Sequence, residues 1–151
     1  MKRKQFSRKL HKEHDPKTRT IIKKFFLEAM HIPLLDNENI HGVDLLSPDK
    51  KLKVEGEHRD KWWKCGIIPF STVHMWERKT ELLMPGDVHF AMLSIDYSTI
   101  GIIPGYKIVK YLTPKYLKEN SNLYEPEDEF SYHIPRNEFK FWDVNTHKQI
   151  I

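Results

Sequence analysis

Apolar residues recur at Ile21, Ile22, Phe25, Phe26, Ala29 and Met30, at i, i+1, i+4, i+5, i+8 and i+9. That spacing lays one apolar stripe along a helix of roughly four turns. Asp15 is a good N-cap, Pro16 fits the first helical position, and Pro33 ends the run. Lys17, Arg19, Lys23 and Lys24 flank the stripe. Beyond it the chain reads as strands over 43–46, 52–59 and 71–79, with "SPDK" at 47–50 a turn by composition. Residues 88–96 and 99–109 carry the strongest strand signals, and the tight "DYST" connection between them predicts a hairpin. The glycines and proline of "GIIPGYKI" suit an edge or bulged strand. "TELLMPGD" reads as a helical turn or loop, and Thr113-Pro114 fits the start of a short helix over 114–119. "NSNLYEPEDEF" reads as an acidic loop, and "SYHIP" and "EFKFWDV" as short strands or a helix start.

These elements predict an α/β domain: a mixed, twisted sheet of about five strands, packed by the N-terminal helix and by one C-terminal helix or loop. A length of 151 residues suits one domain with a real core. Apolar residues at 39% and charged residues at 30% exclude the disordered class. No apolar run approaches the ~18 residues of a membrane span, so no membrane partner is expected. The basic N-terminus lacks the apolar segment of a secretory signal. Cys65 has no second cysteine to pair with, which points to a reducing cytoplasm.

Charge changes the picture. Residues 1–24 hold ten Lys/Arg and two acids, 10 − 2 = +8, whereas the rest hold fifteen and nineteen, 15 − 19 = −4. The division is therefore a basic arm over 1–14 and a single domain over 15–151. Lys2, Arg3, Lys4, Arg8, Lys9 and Lys12 of the arm are candidates for phosphate contact, because neutralising phosphates releases counterions. A solvated basic tail is the plainer alternative.

The candidate chemistry lies in "GVDLLSPDKKLKVEGEHRDKWW", where Asp44, Glu55 and Glu57 occupy predicted strands although strands are poor in acids. If 43–46 and 51–59 pair antiparallel across a four-residue turn at 47–50, position 44 faces 53. Asp44, Lys53, Glu55 and Glu57 then project from one face, because side chains alternate with period two. Asp44 and Glu55 become diagonal neighbours at roughly 7–8 Å, close enough for both to reach one divalent cation. A one-residue slip would put Asp44 on the other face. A solvated face, with Lys53 and Arg59 paired to the glutamates, is the competing reading.

The order helix, strand with Asp44, hairpin, strand with Glu55-Gly56-Glu57 resembles the PD-(D/E)XK nuclease superfamily, over roughly residues 15–109. The strands "STVHMWERK" and "VHFAMLSIDYSTIGII" are similar to those of its small phage-type members. The resemblance implies a restriction-endonuclease-like fold and a Mg²⁺- or Mn²⁺-dependent deoxyribonuclease. Asp44 and Glu55 would then be the metal ligands, and DNA the partner. It further implies the cytoplasm of a bacterial or phage-infected cell, and it is compatible with a homodimer. Val43 stands where the pattern has proline, and Glu57 where it has lysine. In the family that lysine helps orient or activate the attacking water, and some restriction enzymes of the superfamily carry Glu there. Glu57 could serve as base or ligand, or a lysine could enter from another element. Lys79 of "WERK" is the first candidate. Lys53, Arg59 and Arg78 are the candidate phosphate contacts within the domain. The alternatives are a non-catalytic nucleic-acid-binding module on the same fold, and an interaction protein that uses its basic arm.

Other constellations are weaker. His58, His74 and His89 lie in predicted strands, but no zinc spacing accompanies them. Nothing near Cys65 argues for a lowered thiol pKa. Trp62 and Trp63, flanked by Lys61 and Lys64, suit base stacking or a plug at the end of the core equally well.

Overall fold

The computed structural model describes residues 8–39, 41–59, 63–119 and 130–150, with side chains from residue 16 onward except that of Glu119. Helix α1 spans Arg8–Met30 and carries Pro16 in its interior rather than at its start. The expected boundary at residue 14 therefore falls inside a helix whose backbone includes Arg8, Lys9 and Lys12. Lys2, Arg3 and Lys4 lie outside the described residues, as do the side chains of Arg8, Lys9 and Lys12. The helix closes at His31, whose φ of 58° is left-handed. There His31 N–H donates to Leu27 O at 3.1 Å, and Ile32 N–H to Phe26 O at 3.0 Å. The His31 bond is the single 5→1 bond of an αL closure, and Pro33 follows it.

Among the described residues, nine strands form two sheets. The larger has the order β1 (Leu35–Asp36), β2 (Leu45–Leu46), β3 (Lys53–His58), β5 (Val88–Leu93), β6 (Thr99–Ile103), β9 (Lys140–Asp143). All its neighbours are antiparallel except β3 and β5, which run parallel. The smaller sheet is β4 (Thr72–Trp76), β8 (Phe130–Pro135) and β7 (Leu117–Glu119), antiparallel throughout. The fold is thus mixed α/β with six strands rather than five in its main sheet. The second layer is itself a sheet, not a C-terminal helix. Its inner face explains why: Val73 and Met75 of β4 lie beside Tyr132 and Ile134 of β8, and all four are buried.

The main sheet is apolar on both faces. Val54, Ala91, Leu93, Ile100 and Ile102 receive Ile22, Phe25 and Phe26 of α1. Val88, Phe90, Met92, Ile103 and Phe141 receive Val73, Met75, Tyr132 and Ile134 of the small sheet. Gly56 sets how closely α1 approaches, since a Cβ there would lie 2.6 Å from Ile22 Cδ1.

Several element ends differ from the pattern. The 71–79 segment is strand only to Trp76; Glu77–Lys79 turns as a 3₁₀ helix into α2 (Thr80–Leu83). β6 stops at Ile103, and Pro104 then opens α3 (Gly105–Ile108). The expected helix over 114–119 is one 3₁₀ turn, Pro114–Tyr116, followed by β7. Most of the acidic loop, 120–129, lies outside the described residues. No helix among the described residues is long and apolar enough to cross a membrane.

Candidate active site

The register of β2 on β3 places Leu45 opposite Val54 and Leu46 opposite Lys53. Position 44 therefore falls opposite Glu55, not opposite 53 as the sequence geometry assumed. The turn is longer than expected. Ser47 N–H bonds Leu52 O at 2.9 Å, Lys50 takes a left-handed φ of 61°, and Asp49 Oδ1 accepts from Ser47 Oγ and from Lys51 N–H. Those Ser47 and Asp49 bonds satisfy the turn's polar groups locally, and Ser47 pairs with Leu52 across it. The slip is two residues. Asp44 itself lies just before β2, where the alternation breaks: Val43 packs towards the small sheet and Leu45 towards α1, and the Asp44 amide reaches the Glu55 carboxylate.

Asp44 and Glu55 interlock through the backbone. Gly56 N–H donates to Asp44 Oδ2 at 2.9 Å, and Asp44 N–H donates to Glu55 Oε1 at 3.3 Å. Arg19 of α1 brings Nη2 to 3.8 Å from Asp44 Oδ1. Lys79, on the 3₁₀ turn rather than on a strand, bonds Glu55 Oε2 at 3.1 Å and lies 3.8 Å from Glu57 Oε2. Glu57 Oε1 is 3.0 Å from Arg59 Nε, while Glu57 Oε2 is buried without a hydrogen bond. The structure thus brings Asp44, Glu55, Glu57, Lys79 and Arg59 into one cluster. Arg78 lies beside it, its guanidinium 5.0 Å from the Trp76 ring. Lys53 does not join, because its ammonium is 2.7 Å from Asp87 at the far end of β3. Arg19 was legible only as a charge flanking the helical stripe; its approach to Asp44 follows from Gly56, which carries no charge signal.

The cluster is largely buried, with the Glu55 side chain 11% exposed and that of Lys79 17%. Burial pushes the Glu55 carboxyl up; Lys79 opposes, Asp44 adds to the rise, and the group settles at about 7. Burial also acts on Glu57, but Arg59, Lys79, Arg78 and the Trp76 indole together hold it below the usual carboxylate range. Burial alone would lower the Lys79 ammonium, yet Glu55, Glu57 and Asp44 raise it, so it stays charged. Asp44 and Glu55 are thus two carboxyl groups in contact, the second held up chiefly by burial.

Hard oxygen donors of this kind suit Mg²⁺ or Mn²⁺, and a divalent cation would offset the burial and the Asp44 charge that raise Glu55. Among the described residues no group of three or more His, Cys, Asp or Glu converges as a metal cage. Asp44 and Glu55 would be the whole protein contribution, as suits an ion that keeps several waters. Glu57 is committed to Arg59 and fits a supporting role better than that of a third ligand.

The histidines do not converge. His58 stacks on Tyr97 with ring centroids 4.1 Å apart, and His74 pairs with His133 across β4 and β8. Trp63 is buried with Nε1 donating to Gly66 O at 2.7 Å, which makes it core; Trp62 lies outside the described residues. Cys65 is exposed. No protein-family model and no curated protein matches the chain.

Proposed function

We propose that this chain is a metal-dependent nuclease that hydrolyses phosphodiester bonds in DNA, with Asp44 and Glu55 as its metal ligands. The observation that carries the reading is the direct opposition of Asp44 and Glu55 with the Lys79 ammonium bonded to Glu55. This arrangement supplies the two carboxylates and the lysine of the PD-(D/E)XK pattern, the lysine arriving from the turn after β4. A bound Mg²⁺ would supply Lewis-acid polarisation of the phosphate and a lowered pKa for an attacking water. The chain's own residues do the rest. Asp44 is fixed by the Gly56 amide, so its second oxygen keeps a defined direction. Glu55 must give up its proton to bind a cation, so its occupancy as a ligand rises with pH through about 7. Lys79 holds a charge beside Glu55 and can donate to a water or to a phosphate oxygen. Glu57 anchors Lys79 and Arg59 and helps keep the Lys79 ammonium charged.

A second reading has support of its own. Lys79, Glu55, Glu57 and Arg59 already form a closed ion-pair chain, which a non-catalytic nucleic-acid-binding module would retain as structure. Cleavage of duplex, single-stranded and branched DNA, assayed with and without Mg²⁺ or Mn²⁺, separates the two. Cleavage that requires the metal supports the nuclease; binding without cleavage of any substrate leaves the module.

A further inference from the structure

We infer that the outer face of the small sheet, around His74, His133 and Lys118, is a proton-linked anion site that grips the phosphates of nucleic acid flanking the candidate active site. Side chains alternate along β4 and β8, and Val73, Met75, Tyr132 and Ile134 point into the core. His74 and His133 are directly paired in register and so emerge together on the outer face. Their ring centroids are 4.1 Å apart with a 31° tilt. Lys118 of β7 pairs with Ser131, two residues from His133 on the same face.

Among the described residues, the charged groups that bear on the pair are cations. Arg59, leaving β3, donates from Nη2 to the His74 carbonyl, and its charge bears on the His74 ring. Arg78 lies over Trp76, two residues along β4 on the same face. Lys118 faces His133. Arg59 is in turn paired with the Glu57 carboxylate, 3.0 Å away. Among the described residues no carboxylate contributes to the electrostatics of either histidine. Burial first, then the His133 ring and Arg59, pulls His74 down to about 4; burial and Lys118 lower His133.

Cationic neighbours argue against a metal between the two rings, although neutral imidazoles are good ligands. They argue for an anion, which would offset Arg59, Arg78 and Lys118 and let the imidazoles take up protons and become donors. Arg59 ties this face to Glu57, so a strand lying along it continues from the carboxylate cluster. In naming nucleic acid as the anion the inference rests on the nuclease reading; the anion site itself does not.

The test is histidine NMR on the intact chain with a chelator present, so that nothing is cut. The apparent pKa values of His74 and His133 are followed free, with inorganic sulfate, and with a saturating DNA oligonucleotide. Both are expected to rise, by about one unit or more with the oligonucleotide. Binding is then measured in a Glu55→Gln background, which removes the carboxyl that titrates in the same window. Affinity should increase by roughly tenfold from about pH 8 to about pH 5, and His74→Gln/His133→Gln should flatten most of that rise. Lys118→Gln should weaken binding several-fold at both ends of the range. Histidines unmoved by saturating oligonucleotide, or a double variant with an unchanged pH response, would overturn the inference. Sulfate moving them while oligonucleotide does not would overturn its nucleic-acid part. Histidine shifts without metal-dependent cleavage of any substrate would sink the nuclease reading and leave this site standing; cleavage without the shifts would do the reverse.

Discussion

At the residue scale, Glu55 is the group whose behaviour depends most on the fold. Its folded pKa is about 7 against an ordinary 4.5, chiefly through burial. A carboxyl raised in the folded state stabilises the fold below about pH 4.5, and that stabilisation is lost as pH rises through about 7. The shift corresponds to on the order of 3 kcal/mol, and neighbouring titrations reduce what is observed. Glu55→Gln should therefore unfold with a flatter pH profile between about pH 5 and pH 8 and be the more stable protein at the alkaline end. Urea denaturation at several pH values reads this, and parallel profiles would contradict it. Mg²⁺ should raise the melting temperature of the wild type more at about pH 8 than at about pH 5.5, because binding must displace the proton. Lys79→Met leaves Glu55 and Glu57 buried without their shared cation, so it should cost roughly 3–5 kcal/mol and abolish cleavage. Asp44 and Glu55 were legible in the sequence as acids in predicted strands, and their contact follows from the pairing of β2 with β3. Lys79 was legible as the basic residue closing "WERK". That Asp44 and Glu55 oppose directly was not, because the Ser47–Asp49 hydrogen bonds that lengthen the turn are decided by local geometry.

At the element scale, α1, β3 and the hairpin of β5 with β6 carry strong periodic signals, and all are present. What the pattern hid was the partition of strands into two sheets. β4 alternates like any half-buried strand, and nothing local says that it pairs with β8, some sixty residues away, rather than with β3. The C-terminal strands are short, and short apolar runs do not separate strand from helix. The contact of α1 with β3 is set by one glycine, and it makes a specific prediction. Gly56→Ala puts a Cβ 2.6 Å from Ile22 Cδ1, so it should destabilise the fold by roughly 1–3 kcal/mol and shift Arg19 relative to Asp44. Ile22→Val removes that Cδ1. The double variant should recover part of the loss, a coupling that a denaturant-based double-mutant cycle measures directly. Additive losses would mean that the close approach is not what Gly56 provides.

At the scale of the whole molecule, the charge excess lies at the N-terminus and the acids lie elsewhere, an asymmetry plain in the sequence. Within the domain, Arg59 links the largely buried carboxylate cluster to the His74 carbonyl, and Arg78 lies beside it over Trp76. Removing residues 1–7, which carry Lys2, Arg3 and Lys4, should weaken DNA binding and reduce the slope of log affinity against log salt by up to about 3. It should leave the melting temperature unchanged; an unaltered slope would remove the arm from the interface. The most direct test of the account is the rate of Mg²⁺-dependent DNA cleavage by the wild type against Glu55→Gln and Asp44→Asn, with binding measured alongside. The account predicts that cleavage falls in both variants by at least about a thousandfold while binding persists or tightens, because each change removes an anionic ligand facing the phosphate. Variants that cleave as fast as the wild type would contradict it.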